Sequence, residues 1–298
     1  MSDAVSNWME ITSTYGVLVA RNKLSHRWAL ELPARPTIAF HLVEKGHACV
    51  RVVGQAPVRI AEGELVLVPH GQAHVIGDSP ATPPCSLDEL KQQRMDARPH
   101  VTTLVCGEYQ SELGLCSQMT RQLPDVVHFT AEAIRKDPSL RVMIPMLCEE
   151  LASVRPGRET VIEHLLGALL ACALRAWSAS PEGGWPAALV DVSLGPVMSA
   201  IHARPQKAWT VESLAKVAHL SRAAFARRFR ETVGEPPLEY VTRVRMSLAA
   251  QHLRGSAKLS EVASAVGYTS EFAFSRAFKR ALGVSPREHR AMAQAARR

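Results

Sequence analysis

Aromatic residues are scarce in this 298-residue chain, at 5% against 47% hydrophobic overall, so its cores must be built from aliphatic side chains. Its six cysteines (Cys49, Cys85, Cys106, Cys116, Cys148 and Cys172) form no C-x-x-C pair and no tight cluster with histidine. That spacing excludes a disulfide framework and a zinc finger. The chain also lacks any run of about 18 uncharged apolar residues, the length a membrane span needs. The opening "MSDAVSNWMEITSTYG" has neither a basic start nor an apolar core. Neither a membrane span nor a signal peptide is therefore expected, and a cytoplasmic location is.

Charge is unevenly divided. The formal net charge is +7, but residues 204–298 carry 18 Lys+Arg against 7 Asp+Glu, while the remainder carries 17 against 21. A basic end joined to a mildly acidic body is the balance of a nucleic-acid binder with a separate control domain, because phosphate neutralisation is local to the docking face.

The first third reads as β structure. "PTIAFHLVEKG", "HACVRVVG", "APVRIAEGELVLVPHG" and "HVTTLVCGEY" are rich in Val, Ile, Leu and Thr and are punctuated by Gly and Pro, as in a small antiparallel barrel or sandwich. Between them, "GDSPATPPCSLDELKQQRMDARPH" reads as a long surface loop. From about Val126 the period turns helical. "RETVIEHLLGALLACALRAWSA" carries a stripe of Val161, Leu165, Leu169, Cys172 and Leu174, widened by Ile162, Leu166 and Ala173. So wide an apolar surface packs against the β domain and the "MIPMLCEELASV" helix, or forms a dimer seam, or both. "SASPEGGWPAA" has linker composition. The expected order is a β sensor domain over 1–125, a helical dimerisation segment over 126–180, a linker over 181–195 and an all-α domain over 196–298; the fold class is α+β.

A repeated phrase dominates the last domain. "LSRAAFARRFRETVG" returns 49 residues later as "TSEFAFSRAFKRALG", with identical pairs Ser221/Ser270, Ala224/Ala273, Phe225/Phe274, Arg227/Arg276, Phe229/Phe278, Gly234/Gly283 and Pro237/Pro286. Each serine is placed as an N-cap and each glycine as the left-handed helix end. Each pair of phenylalanines, spaced i, i+4, falls on one buried face. A shorter helix precedes each, "TVESLAKVA" and "LSEVASAVG", so helix, tight turn and capped helix occur twice. Opposite the phenylalanines lie Ala223, Arg227 and Arg230 in the first unit, and Phe272, Arg276 and Lys279 in the second, flanked by Arg222, Ala226, Glu271 and Ser275. Arginine suits guanine O6/N7 and phosphate oxygens, and Phe272 suits a thymine methyl.

Residues from about Ile201 to Arg290, including "WTVESLAKVAHLSRAAFARRFRETVGEPPLEYV" and "VASAVGYTSEFAFSRAFKRALGVSPREHR", resemble the DNA-binding domain of the AraC/XylS family of bacterial transcription regulators. The resemblance implies that a long helix, "PLEYVTRVRMSLAAQHLRG", links two helix-turn-helix units entering successive major-groove segments of one DNA face. It also implies a transcription activator, working as a homodimer on promoter DNA with RNA polymerase as partner. Two positions depart from the pattern: Ala223 and Ala226 are smaller than the family's usual residues, and His289 replaces a usual Tyr, a packing substitution.

"GELVLVPHGQAH" fits G-x5-P-x-G-x2-H and resembles the second conserved motif of cupin barrels, with the turn at Pro69–Gly71 aiming His74 inward. With the rest, it resembles the AraC-type subgroup with a cupin-like sensor. Catalytic cupins use H-x-H plus Glu, whereas His41, Glu44 and His47 lack that spacing, so an enzyme is not expected. His41, His74 and Cys106 lie in separate strands and are candidates for a metal site, for a small-molecule effector pocket, or for a redox-sensitive thiol at Cys106; ordinary packing side chains are the alternative. No dense cysteine cluster exists to support alkylation repair.

Overall fold

The computed structural model describes residues 14–25, 27–85, 101–111, 123–179 and 191–295, together with Ser6 and Met9. Most of the long loop, Cys116 and most of the linker composition lie outside the described residues. The chain divides into two compact units, one over Thr14–Ala176 and one from Trp177 onward.

Among the described residues, nine strands build the first unit: β1 (Thr14–Leu24), β2 (Ala29–Leu32), β3 (Thr37–Lys45), β4 (His47–Val52), β5 (Val58–Ala61), β6 (Leu65–Val68), β7 (His74–Gly77), β8 (Thr102–Ser111) and β9 (Val127–Phe129). They form two antiparallel sheets, ordered β1-β8-β3-β6-β9 and β2-β7-β4-β5. The expected closed barrel is thus corrected to two sheets that do not close on each other: no ladder among the described strands joins them. β9 pairs with β6, so the β fold runs past the Val126 boundary read from the sequence.

Strand β3 explains the arrangement. Its residues are buried on both faces from Ile38 to Val43, save for half-buried Ala39. Val43, together with Leu104 and Cys106 of β8 and Val50, Ile60 and Ile76 of the other sheet, fills one aliphatic core. The alternate residues Ile38, Phe40 and Leu42 face the other way, where Phe40 meets Tyr109 at 5.3 Å between ring centroids. Removing two such faces from water accounts for the continuous apolar run, as each buried aliphatic side chain contributes about 1.5–3 kcal/mol.

Three helices follow: α1 (Ala131–Lys136), α2 (Leu140–Ala152) and α3 (Arg158–Ser178). α3 packs on β1 at Gly16, where an added Cβ would stand 2.4 Å from that of Leu166. Its core side is Ile162, Leu166, Leu169, Leu170, Ala173 and Leu174, while Val161 is 37% exposed. The residues read as widening the stripe are thus its centre. α3 is long and apolar enough, by length and composition, to cross a membrane, but much of its apolar side is covered by this packing.

The second unit is helical: α4 (Leu194–Ala203), α5 (Val211–Val217), α6 (Arg222–Val233), α7 (Pro237–His252), α8 (Leu259–Ala265), α9 (Glu271–Leu282) and α10 (Pro286–Ala295). α5 packs on α6 and α8 on α9, and α7 touches α4, α6, α8 and α9, so one long helix holds both pairs. His202 of α4 meets the Tyr240 hydroxyl of α7 at 2.6 Å, and Arg245 donates to the carbonyls of Pro205 and Lys207.

Candidate nucleic-acid interface and buried polar chain

The repeated phrase folds as a repeated object. Ser221 accepts from the Ala224 N–H at 3.3 Å and Ser270 from that of Ala273 at 3.4 Å, so each helix starts on a hydroxyl that satisfies a donor lacking a helical partner. Both helices end on glycine in the left-handed region, Gly234 at φ 83° and Gly283 at φ 77°. Phe225, Phe229, Phe274 and Phe278 are fully buried, with ring centroids 5.5 Å apart in the first pair and 5.6 Å in the second. His289 packs on Phe278 at 5.6 Å, the packing role its position suggested.

Anchoring the phenylalanines inward fixes what faces outward. On α6, Arg222, Ala223, Arg227 and Arg230 are exposed and Ala226 is half-buried. On α9, Glu271, Phe272, Arg276 and Lys279 are exposed and Ser275 is half-buried. Within the described residues, Arg227, Arg230 and Arg276 form no ion pair with an acidic side chain. An unneutralised cationic face of this kind attracts phosphate and offers forked donors to base edges.

A neighbouring arginine has a different job, invisible in the sequence. Arg228, one residue beyond Arg227, is rotated by about 100° around the helix. It holds Asp191 at 2.7 Å. Asp191 also accepts from the N–H groups of Ser193 and Leu194, capping the start of α4. Its placement three residues before a helix is the one local signal that pointed there.

In the first unit, His41, His74 and Cys106 do meet. His41 and Cys106 are direct partners across β3 and β8, and His74 on β7 reaches them from the other sheet. The turn before β7 makes this possible. Gly71 sits at φ +62°, and a Cβ there would lie 1.7 Å from the Arg35 carbonyl oxygen, so only glycine fits.

The contacts run in a line. His74 Nδ1 lies 2.9 Å from the Gln72 carbonyl, His74 Nε2 lies 2.9 Å from His41 Nε2, and His41 Nδ1 lies 3.1 Å from Cys106 Sγ. Burial holds both imidazoles below their ordinary range, His41 well below, and pushes the Cys106 thiol up to about 12. All three groups are therefore neutral. The carbonyl can only accept, so His74 Nδ1–H donates to it and His74 Nε2 accepts from His41 Nε2–H. His41 Nδ1 is then left to accept from the Cys106 S–H. Two residues along β8, buried Glu108 accepts from Gln110 at 2.5 Å and Thr37 at 3.3 Å, a polar neighbour that no sequence motif marks.

This line does not fit a metal centre. His41 turns its two nitrogens to different neighbours on opposite edges of its ring, so the three side chains surround no common point. Among the described residues, no group of three or more His, Cys, Asp or Glu is arranged to hold a metal ion.

Comparison with known proteins agrees with both halves. A cupin family model matches residues 3–179, and a helix-turn-helix domain model matches residues 214–292. A putative AraC-like transcription regulator of Streptomyces lividans is 31% identical, over 97% of this chain and 98% of its own. The HTH-type transcriptional regulator AlkR of Acinetobacter baylyi is 30% identical, over 90% of this chain and 92% of its own. The RCS-specific HTH-type transcriptional activator RclR of Escherichia coli K12 is 29% identical, over 97% of each. With a cupin domain followed by this helical domain, and with relatives that are regulators rather than enzymes, the chain belongs to the AraC family of DNA-binding transcription regulators.

Proposed function

We propose that α6 and α9 are the recognition helices of two helix-turn-helix units that enter successive major-groove segments of one DNA duplex. The carrying observation is the duplicated, capped, phenylalanine-anchored helix with unpaired arginines outward, Arg227 and Arg276 at equivalent positions. Arg222, Ala223, Ala226 and Arg230 of α6, and Glu271, Phe272, Ser275 and Lys279 of α9, complete the two surfaces. On this reading the protein acts in the cytoplasm as an activator beside RNA polymerase.

A homodimer fits the same reading. Val142 and Met146 of α2 and Val161 of α3 are exposed at 59%, 51% and 37%, which leaves an apolar helical face for a second copy.

Control resides in the cupin domain, through a small molecule or a redox signal. For the second, the group that changes is Cys106, whose burial and undissociated thiol make it a slow target for oxidants. Oxidation of Cys106 by a hydroperoxide gives a sulfenic acid, with the peroxide reduced to water or alcohol, and removes the S–H that His41 accepts. The larger S–OH that replaces it must be accommodated against His41 in a packed site, a local change able to bias two domain states. The related regulator whose name reads RCS-specific points the same way.

The test is footprinting of the full chain on DNA beside its own gene, with and without hydroperoxide or candidate small molecules, for wild type and Cys106→Ser. Protection that responds to oxidant in the wild type alone supports the whole reading. Protection indifferent to oxidant and to small molecules removes the sensor half, and no protection removes the DNA half.

A further inference from the structure

Built alike, the two units differ, among other outward positions, at the one a helical turn before the shared arginine: Ala223 precedes Arg227, but Phe272 precedes Arg276. Phe272 is 72% exposed, whereas the four phenylalanines of the repeated pairs are fully buried. Its ring is not idle. The Arg276 guanidinium carbon lies 5.7 Å from the ring centroid, at cation–π distance. The stack brings the guanidinium beside the ring on the exposed face of α9.

An apolar ring beside a forked donor has a chemical complement in the major groove. Guanine offers two acceptors, O6 and N7, for a bidentate arginine, and a 5-methylpyrimidine offers a methyl group to an aromatic face. Because ring and guanidinium are in contact, their targets must be in contact too. Successive bases on one strand rise by about 3.4 Å, so the targets belong to neighbouring base pairs. Ala223 ends at Cβ and makes no such stack with Arg227.

We propose that Phe272 and Arg276 act as one unit reading a 5-methylpyrimidine next to a guanine, and that the α6 half-site lacks this methyl dependence. This rests on α9 occupying a major groove. Thymine is the ordinary source of the methyl group, and 5-methylcytosine is the other. A site carrying cytosine at this position therefore binds more tightly once that cytosine is methylated.

The test uses the full chain. Duplexes are selected from a randomised DNA library, and each thymine of the selected site is replaced in turn by uracil, which deletes the methyl group alone. One thymine beside a guanine in the α9 half is expected to lose about fourfold in affinity, the worth of one buried methyl group. Replacing that T·A pair by 5-methylcytosine·guanine should bind better than cytosine·guanine by a similar factor. Phe272→Ala should bind the thymine and uracil duplexes equally, whereas Phe272→Leu, which keeps an apolar tip without the stack, should keep part of the preference. Equal binding of thymine and uracil duplexes by the wild type at every position overturns the proposal while leaving DNA recognition standing. Failure to select any sequence overturns both.

Discussion

The imidazoles of His41 and His74 meet Nε2 to Nε2 at 2.9 Å, so one must carry a proton and the other must not. A second proton would set two N–H groups against each other inside the sandwich. Each imidazole is held below its ordinary 6.5, which makes the folded state favour the neutral form. Stability is therefore full above pH 6.5 and is lost as pH falls below it toward the depressed values. His41, the more deeply buried of the two, carries the larger share of that loss. Thermal melts at pH 7.5 and 5.5 should show a smaller acid loss in His41→Asn than in the wild type. His202, lowered to about 3 by burial, contributes equally to both proteins and cancels. An identical acid loss in the two would contradict the neutral line.

The turn that aims His74 has a strict requirement. Gly71 and Gly54 both lie at positive φ, but an added Cβ at Gly71 meets the Arg35 carbonyl at 1.7 Å, and at Gly54 it meets nothing within 4 Å. Gly54→Ala should cost about 1 kcal/mol, the left-handed penalty alone. Gly71→Ala should cost about 3 kcal/mol or more and weaken the acid sensitivity, since His74 moves with the turn. Equal urea midpoints for the two variants would refute this.

Ser221 and Ser270 do the same work in separate helices with separate donors. Each serine-to-alanine change should remove about 1 kcal/mol from the second unit. In the double variant the losses should add to within about 0.5 kcal/mol. Denaturant unfolding checks both numbers, and no loss at either serine would show that the caps carry no weight.

Adjacent arginines on α6 provide an internal control. Arg228 is engaged with Asp191 and turned from the proposed DNA face, while Arg227 is exposed and unpaired within the described residues. Arg227→Ala should weaken specific binding by about 1–3 kcal/mol. Arg228→Ala should leave specific affinity within about twofold and lower thermal stability modestly, by loosening the cap of α4. A titration in which both variants lose affinity alike would contradict this division of labour.

The helical domain was legible because its signals are local. Caps, an i, i+4 phenylalanine pair and a terminating glycine each act within one or two turns, and duplication doubled every one of them. The β domain hid more. β1 (TYGVLVARNKL) and β2 (ALEL) carry no distinct local signal, and the strand runs alone do not separate a barrel from a sandwich, because whether edge strands pair across two sheets is decided by residues far apart in the chain. His41, His74 and Cys106 were found as candidates, but their order in a line depends on which side of the sandwich each strand faces. Asp191 and Arg228 lie 37 positions apart, and no period or motif couples them.

The central claim is that one chain places two equivalent helices in neighbouring grooves. Methylation interference on a selected site, with wild type, Arg227→Ala and Arg276→Ala, tests it most directly. Wild type should show two blocks of major-groove guanine contacts on one face, about 10 base pairs apart, and each variant should lose a different block. Loss of the same block in both variants, or a single block in the wild type, would contradict the account.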